Sequence, residues 1–196
     1  MTSGNDEAAT YFDYTKATVV ELHRTLWGQV IQQDEFIATH ARQKAEIAFL
    51  MEGGKELLAA SSITLFRQKA KLAATERAMK VYDLSINIIA GAILQIGKQA
   101  ISIRYGANRT DCPLEGRLIS GWCVRDLIWL GRNQAMHYEE TKPGSSWVKL
   151  FTSLNETYPD LFPLDVPSES RAMAILTVLG WVRYEQYESD MRELGV

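Results

Sequence analysis

The chain is poor in proline, cysteine and histidine, and each shortage excludes something. Five prolines in 196 residues leave room for long uninterrupted helices, because proline is the residue that breaks them. The two cysteines, Cys112 and Cys123, are too few for a disulfide framework, and neither sits in a CxxC. The three histidines, His23, His40 and His137, are far apart in sequence, so a zinc site of the usual Cys/His spacing is not written here. No uninterrupted run of 18 apolar residues occurs, and the longest near-apolar run, residues 86–96, is broken by Asn87, Gly91 and Gln95. A membrane-spanning segment is therefore not expected. The first residues lack the basic region and apolar core of a signal peptide, so a cytoplasmic protein with free thiols is expected. Walker A, GxGxxG and GxSxG patterns are absent. Glu-x-x-His is also absent, which leaves a di-iron carboxylate bundle without support. No metal and no cofactor is expected.

Apolar residues make up 46% and charged residues 23%, a globular composition of a size suited to one domain. The net charge of −3 gives no overall reason to bind a polyanion, but it hides an asymmetry. Residues 1–54 carry 4 basic and 8 acidic side chains, net −4. Residues 55–109 carry 9 basic and 3 acidic, net +6. Residues 110–196 carry 8 basic and 13 acidic, net −5. The middle segment could present a basic face to nucleic acid; its plainer reading is a set of solvated helix faces.

Strand signals are weak throughout, and the expected fold is all-α, a bundle of about four main helices plus short ones. Residues 1–13 read as disordered. Residues 14–51 read as an amphipathic helix with Val19, Leu22, Leu26, Val30, Ile37, Ala41, Ala45 and Ala48 as its stripe, ended by Gly53 and Gly54. A shorter helix is expected over residues 55–72, with Leu57, Leu58, Ile63, Leu65 and Phe66. A third follows over residues 73–104, with Ala78, Val81, Tyr82, Ile86, Ile89, Ile93, Ile96 and Ile101 inward. Gly91 within it marks close helix packing rather than a break. A fourth helix, from near residues 114–117 to about 140, is apolar on most sides. Such a helix is either central to a bundle or buried on two sides, once by its own core and once by a partner. Residues 141–167 read as a loop-rich connector holding a turn at 142–146 and a short helix over 147–157. Ser168 would cap a final helix, residues 169–194. The whole, residues 1–196, reads as a single domain.

Cys123, placed inside the apolar fourth helix, reads as a buried inert thiol. His23 and His40 read as surface or packing residues. What remains is Arg132, Asn133 and His137, near the end of the fourth helix. Arginine holds a phosphate with a planar fork of donors, and histidine moves protons near neutral pH. In RNA the 2′-hydroxyl is a built-in nucleophile, so the pair could serve RNA cleavage without a metal. Asn133 and His137 are at i, i+4 and share a helix face. Arg132 lies about 140° around the helix from His137, so the two converge only through arginine's reach or across two copies of the helix. The alternative is a surface arginine and a histidine capping carbonyls at the helix end.

Arg132-Asn133 followed by His137, near the end of a long helix in an all-α chain, resembles the HEPN superfamily (higher eukaryotes and prokaryotes nucleotide-binding domain). That family's pattern is Arg, four to six residues, then His, often with a polar residue after the Arg. The resemblance implies a metal-independent endoribonuclease acting as a homodimer, with paired motif helices placing two arginines and two histidines in one cleft. It implies attack by the 2′-OH, leaving a 2′,3′-cyclic phosphate and a 5′-OH. Arg132 would hold the scissile phosphate, Asn133 would orient it or the histidine, and His137 would act as general acid or base. The dimer seam would be the helix containing residues 115–140, and the basic middle segment would guide RNA. A toxin or phage-defence role would add an antitoxin or another regulatory protein as partner. The other reading is a non-catalytic HEPN-like module that binds a nucleotide, RNA or a protein.

Overall fold

The computed structural model describes residues 3–52, 60–139, 145–163 and 169–196. The expected helix end at Gly53 and Gly54, the turn at residues 142–144 and the cap at Ser168 lie outside them. Among the described residues the fold is all-α, with six helices and one minimal β-ribbon. The helices are α1 (Ser3–Glu52), α2 (Ala60–Tyr105), α3 (Val124–His137), α4 (Ser145–Thr157), α5 (Ala172–Leu179) and α6 (Tyr184–Glu193). The ribbon is β1 (Leu118–Ile119) and β2 (Trp122–Cys123), with Leu118 opposite Cys123 and Ile119 opposite Trp122.

The chain divides into two compact units, residues 1–26 with 87–196, and residues 27–86, where a single domain was expected. The first is a helical bundle with α3 at its centre. Val124, Leu127, Ile128, Trp129 and Leu130 of α3 are all buried, packed by α4, α5, β2 and a 3-10 turn at Arg109–Asp111. A Cβ at Gly91 of α2 would lie 3.5 Å from Ala135 Cβ, and one at Gly131 would meet Ile175 at 3.0 Å. These glycines let helices approach closely, as expected for Gly91. Phe12 of α1 stacks on Tyr187 of α6 at 5.9 Å, and Trp181 meets Tyr187 edge-on at 4.9 Å.

The second unit is an antiparallel helical hairpin. Phe36 faces Tyr82 at 5.4 Å, His40 Nε2 lies 3.1 Å from Glu76 Oε1, and Gln68 donates to Glu46 at 2.6 Å. As the α1 number rises the α2 number falls. Along α1 the sheltered positions include Gln33, Phe36, His40, Gln43, Ile47 and Leu50; along α2 they include Leu65, Gln68, Leu72, Thr75, Met79, Tyr82 and Ile86. Steps of three and four on both helices are the seam of a two-stranded coiled coil.

Several expectations are corrected. Residues 3–13 are helical, and Ala8 and Phe12 are buried; an apolar pair at i, i+4 is enough to dock the first turns. The stripe of α1 holds through Leu26, then shifts one residue at polar Gln33, so Ile37, Ala41, Ala45 and Ala48 are exposed. The second and third helices are one, α2, because nothing at residues 72–73 breaks it; Ile63, Phe66 and Val81 are exposed. The fourth helix starts only at Val124. Before it, Ser120 (φ 49°) and Gly121 (φ 82°) make the tight turn of the ribbon, both residues taking the positive φ that two-residue hairpins favour. Cys123 is therefore in β2, just before α3, although it is buried as expected. The short helix expected over 147–157 is present as α4, beginning two residues earlier at Ser145. The final helix is two: Gly180, at φ 68°, ends α5, and its N–H and that of Trp181 bond back to Thr177 O and Leu176 O at 3.0 Å each, a left-handed helix stop.

Among the described residues one helix is long and apolar enough to cross a membrane by length and composition alone: Ser62–Tyr105 holds an 18-residue window of mean hydropathy 1.4. The expectation of none rested on uninterrupted runs. Ile86, Ala90, Ile93, Leu94, Ala100 and Ile101 of that helix are buried within the chain, as in the core helix of a bundle.

Candidate functional site

Arg132, Asn133 and His137 all lie on α3, as expected. The helix is held there by its apolar faces and by Gln134, which is buried. Its amide donates to Glu169 O at 2.6 Å and accepts from Arg171 N at 2.8 Å. That double bond ties the last turns of α3 to the start of α5, and it satisfies backbone groups that would otherwise be left open.

Arg132 is half-buried. Its Nε donates to Gln95 Oε1 of α2, and one terminal nitrogen donates to Asn133 Oδ1 at 3.2 Å. Both partners are neutral amides, so they orient the guanidinium without cancelling its charge. No carboxylate forms an ion pair with Arg132 among the described residues. This contrasts with Arg109 on Asp126 at 2.9 Å and Arg117 on Asp190 at 2.7 Å. Asn133 is half-buried, while His137 is exposed at the last helical position. The bonds of Arg132 go to Gln95 and Asn133, and His137 leaves the helix about 140° away. Within one chain Arg132 bonds Asn133, and His137, at i+4 from Asn133, lies about 140° around the helix from Arg132.

Sequence reasoning missed Gln95 and Lys98. Lys98 Nζ sits 4.6 Å from the ring centroid of Trp129, one turn before Arg132 on α3. Burial first, and the Arg132 charge second, hold the Lys98 ammonium below its ordinary pKa. The available signal was the i, i+3 spacing of Gln95 and Lys98, which places both on one face of α2.

The other candidates are structural. His23 is buried, and its Nδ1 lies 2.9 Å from Val19 O, so the ring donates there. His40 is half-buried and paired with Glu76. Cys112 and Cys123 are both buried, and burial pushes both thiols up, away from the reactive thiolate. Among the described residues no group of three or more His, Cys, Asp or Glu side chains is arranged to hold a metal ion.

The sequence pattern makes α3 apolar on most sides. Its bulky apolar residues are buried inside the chain, and Met136, 55% exposed, is its one large apolar side chain on the surface. Of the two alternatives for a helix apolar all round, the central position is the one observed. Compared with known proteins, the chain matches no protein-family model, no curated protein and no solved structure.

Proposed function

We propose that the chain is a cytoplasmic, metal-independent endoribonuclease of the HEPN kind. The observation that carries this reading is the Arg132 guanidinium, half-buried and aligned by two neutral amides, five residues before the exposed His137. An oriented guanidinium with no carboxylate partner among the described residues favours a phosphate group, whose negative oxygens accept two parallel N–H bonds. The RNA 2′-oxygen attacks phosphorus and the P–O5′ bond breaks. The 2′-OH proton passes to a base, and a proton is delivered to the departing 5′-oxygen. The products are a 2′,3′-cyclic phosphate and a 5′-OH. Arg132 stabilises charge on the phosphate oxygens, Asn133 keeps the guanidinium in place, and His137 is the proton-transfer group.

A homodimer completes the site in this reading. Because Arg132 and His137 leave α3 in different directions, a second copy meeting the first at the exposed end of α3 would set Arg132 of one beside His137 of the other. A toxin or defence role, with an antitoxin or regulatory partner, fits such an activity. Net charge −3 and pI near 5.7 favour a second reading, a non-catalytic module that binds RNA, a nucleotide or a protein.

The test is cleavage of a mixed RNA by purified protein in EDTA, beside His137→Ala and Arg132→Ala. Wild-type cleavage with cyclic-phosphate ends is expected, lowered by about 10²–10⁴ in His137→Ala. RNA binding without cleavage by the wild type would sink the nuclease and leave the module.

A further inference from the structure

Three contacts set the register of α2 against α3. Gly91 lies opposite Ala135, Gln95 bonds Arg132, and Lys98 stands over Trp129. The helices run antiparallel, and Gln95 with Lys98 on α2 faces Trp129 with Arg132 on α3. Lys98 and Arg132 are thus neighbours, one turn apart, across the same helix pair. Each is half-buried, and each is held by a neutral group, an indole ring in one case and two amides in the other. Neither is paired with a carboxylate among the described residues. Of the other arginines of the bundle, Arg109, Arg117 and Arg125 each have one, while half-buried Arg104 lies over the Tyr105 ring with no such ion pair among the described residues.

Two like charges fixed side by side repel, and the repulsion is stronger where burial lowers the local dielectric. A scaffold that holds them together without an acid between them is complementary to an anion. A phosphate group can accept a fork from arginine and a point charge from lysine at once. We propose that Lys98 and Arg132 jointly bind one phosphate group of the RNA backbone, with Trp129 holding the ammonium in place. The lowered pKa of Lys98 agrees with this geometry. The proposal rests on the RNA reading above for the source of the phosphate. It makes Lys98 a binding residue that the Arg–His motif does not contain.

The experiment is fluorescence anisotropy with a labelled 20-nucleotide RNA in a His137→Ala background, which keeps the RNA intact. Lys98→Gln is expected to weaken binding about tenfold and to lower the slope of log affinity against log salt by about one. Lys98→Arg should restore both, and thermal melting should show the variants folded. Unchanged affinity and salt slope in Lys98→Gln would overturn the proposal, as would weakened binding with an unchanged slope, the mark of a merely structural lysine. A parallel NMR titration with inorganic phosphate separates this failure from failure of the RNA reading. A phosphate-induced shift of the Trp129 indole N–H that Lys98→Gln abolishes, in a protein that binds no RNA, would keep the clamp and point to a free phosphate or nucleotide. No shift, with no RNA binding, would remove both.

Discussion

The bundle and the hairpin are built from the same two long helices, yet they use their apolar residues in opposite ways. In the hairpin, residues 27–86, Ile47 and Ile86 are the only buried apolar side chains among the described residues, while Ile31, Ile37, Phe49, Met51, Ile63, Phe66, Val81 and Leu84 are exposed. In the bundle, α3 buries Val124, Leu127, Ile128, Trp129 and Leu130, and α5 buries Ala172, Ile175, Leu176 and Leu179. The reason is the number of neighbours. A helix in a two-helix hairpin is covered along one narrow stripe, so an apolar residue one position off the stripe faces water. A helix such as α3 has neighbours on several sides, so an apolar residue is sheltered almost wherever it points. Stability should therefore be concentrated in the bundle, and four experiments test whether it is.

The largest effect is expected at Asp190. It is 3% exposed and accepts from Arg117 through both oxygens, at 2.7 and 2.8 Å, and from Trp181 Nε1 at 2.7 Å. Asp190→Ala leaves the indole N–H unpaired and the guanidinium uncompensated, a loss of about 3 kcal/mol for breaking such a pair. Denaturant unfolding measures it; a loss below about 1 kcal/mol would place the core of the bundle elsewhere. Next is Phe36→Ala on the hairpin seam. Phe36 packs on Tyr82 but is only half-buried, so about 1.5 kcal/mol is expected rather than the 3–5 of a core phenylalanine. Native-state hydrogen exchange should show this loss in residues 27–86 first, since weakly packed regions open locally.

A smaller, pH-dependent effect belongs to His23. Burial is the main cause that holds its pKa below the ordinary 6.5; the bond to Val19 O, the Glu185 charge and the Trp181 backbone oppose it. The unfolded chain then binds the proton first, so stability falls as pH drops below about 6.5 toward the folded-state value, and is unaffected by this group above it. His23→Leu should flatten that part of the stability–pH curve. The smallest effect is expected from Phe66→Ser, at a side chain 75% exposed: within about 0.5 kcal/mol of wild type. A loss of 2 kcal/mol there would show that the outer face of the hairpin is covered in solution.

The same contrast explains what could be read from the residues alone. In the bundle the stripe Val19, Leu22, Leu26 was legible, because each residue keeps its apolar neighbours at three- and four-residue steps. Past Gln33 the reading slipped one position to Ile37, Ala41 and Ala45. On those residues the apolar count is as good on the exposed face as on the buried one, and polar Gln33, His40 and Gln43 occupy the seam. The β-ribbon was hidden because Leu118, Ile119, Trp122 and Cys123 continue an apolar run; the Ser120-Gly121 pair was the available turn signal. Gly180 was likewise the visible mark of the break between α5 and α6. Of the candidate site, Arg132, Asn133 and His137 were legible because a helix places residues by spacing alone. Gln95 and Lys98, which complete the setting of Arg132, are 37 and 34 residues away in sequence.

The residues alone made the all-α class legible, the two long proline-free stretches as helices, and Arg132, Asn133 and His137 as neighbours on a third helix. These are local properties, set by backbone propensity and side-chain period within a few turns. Only the tertiary structure decided which face of α1 turns inward beyond Gln33, that α3 is enclosed by its own chain, and that Lys98 stands beside Arg132. Those depend on the register between helices, which is set by how closely glycines such as Gly91 and Gly131 let the helices approach, and no local pattern encodes it.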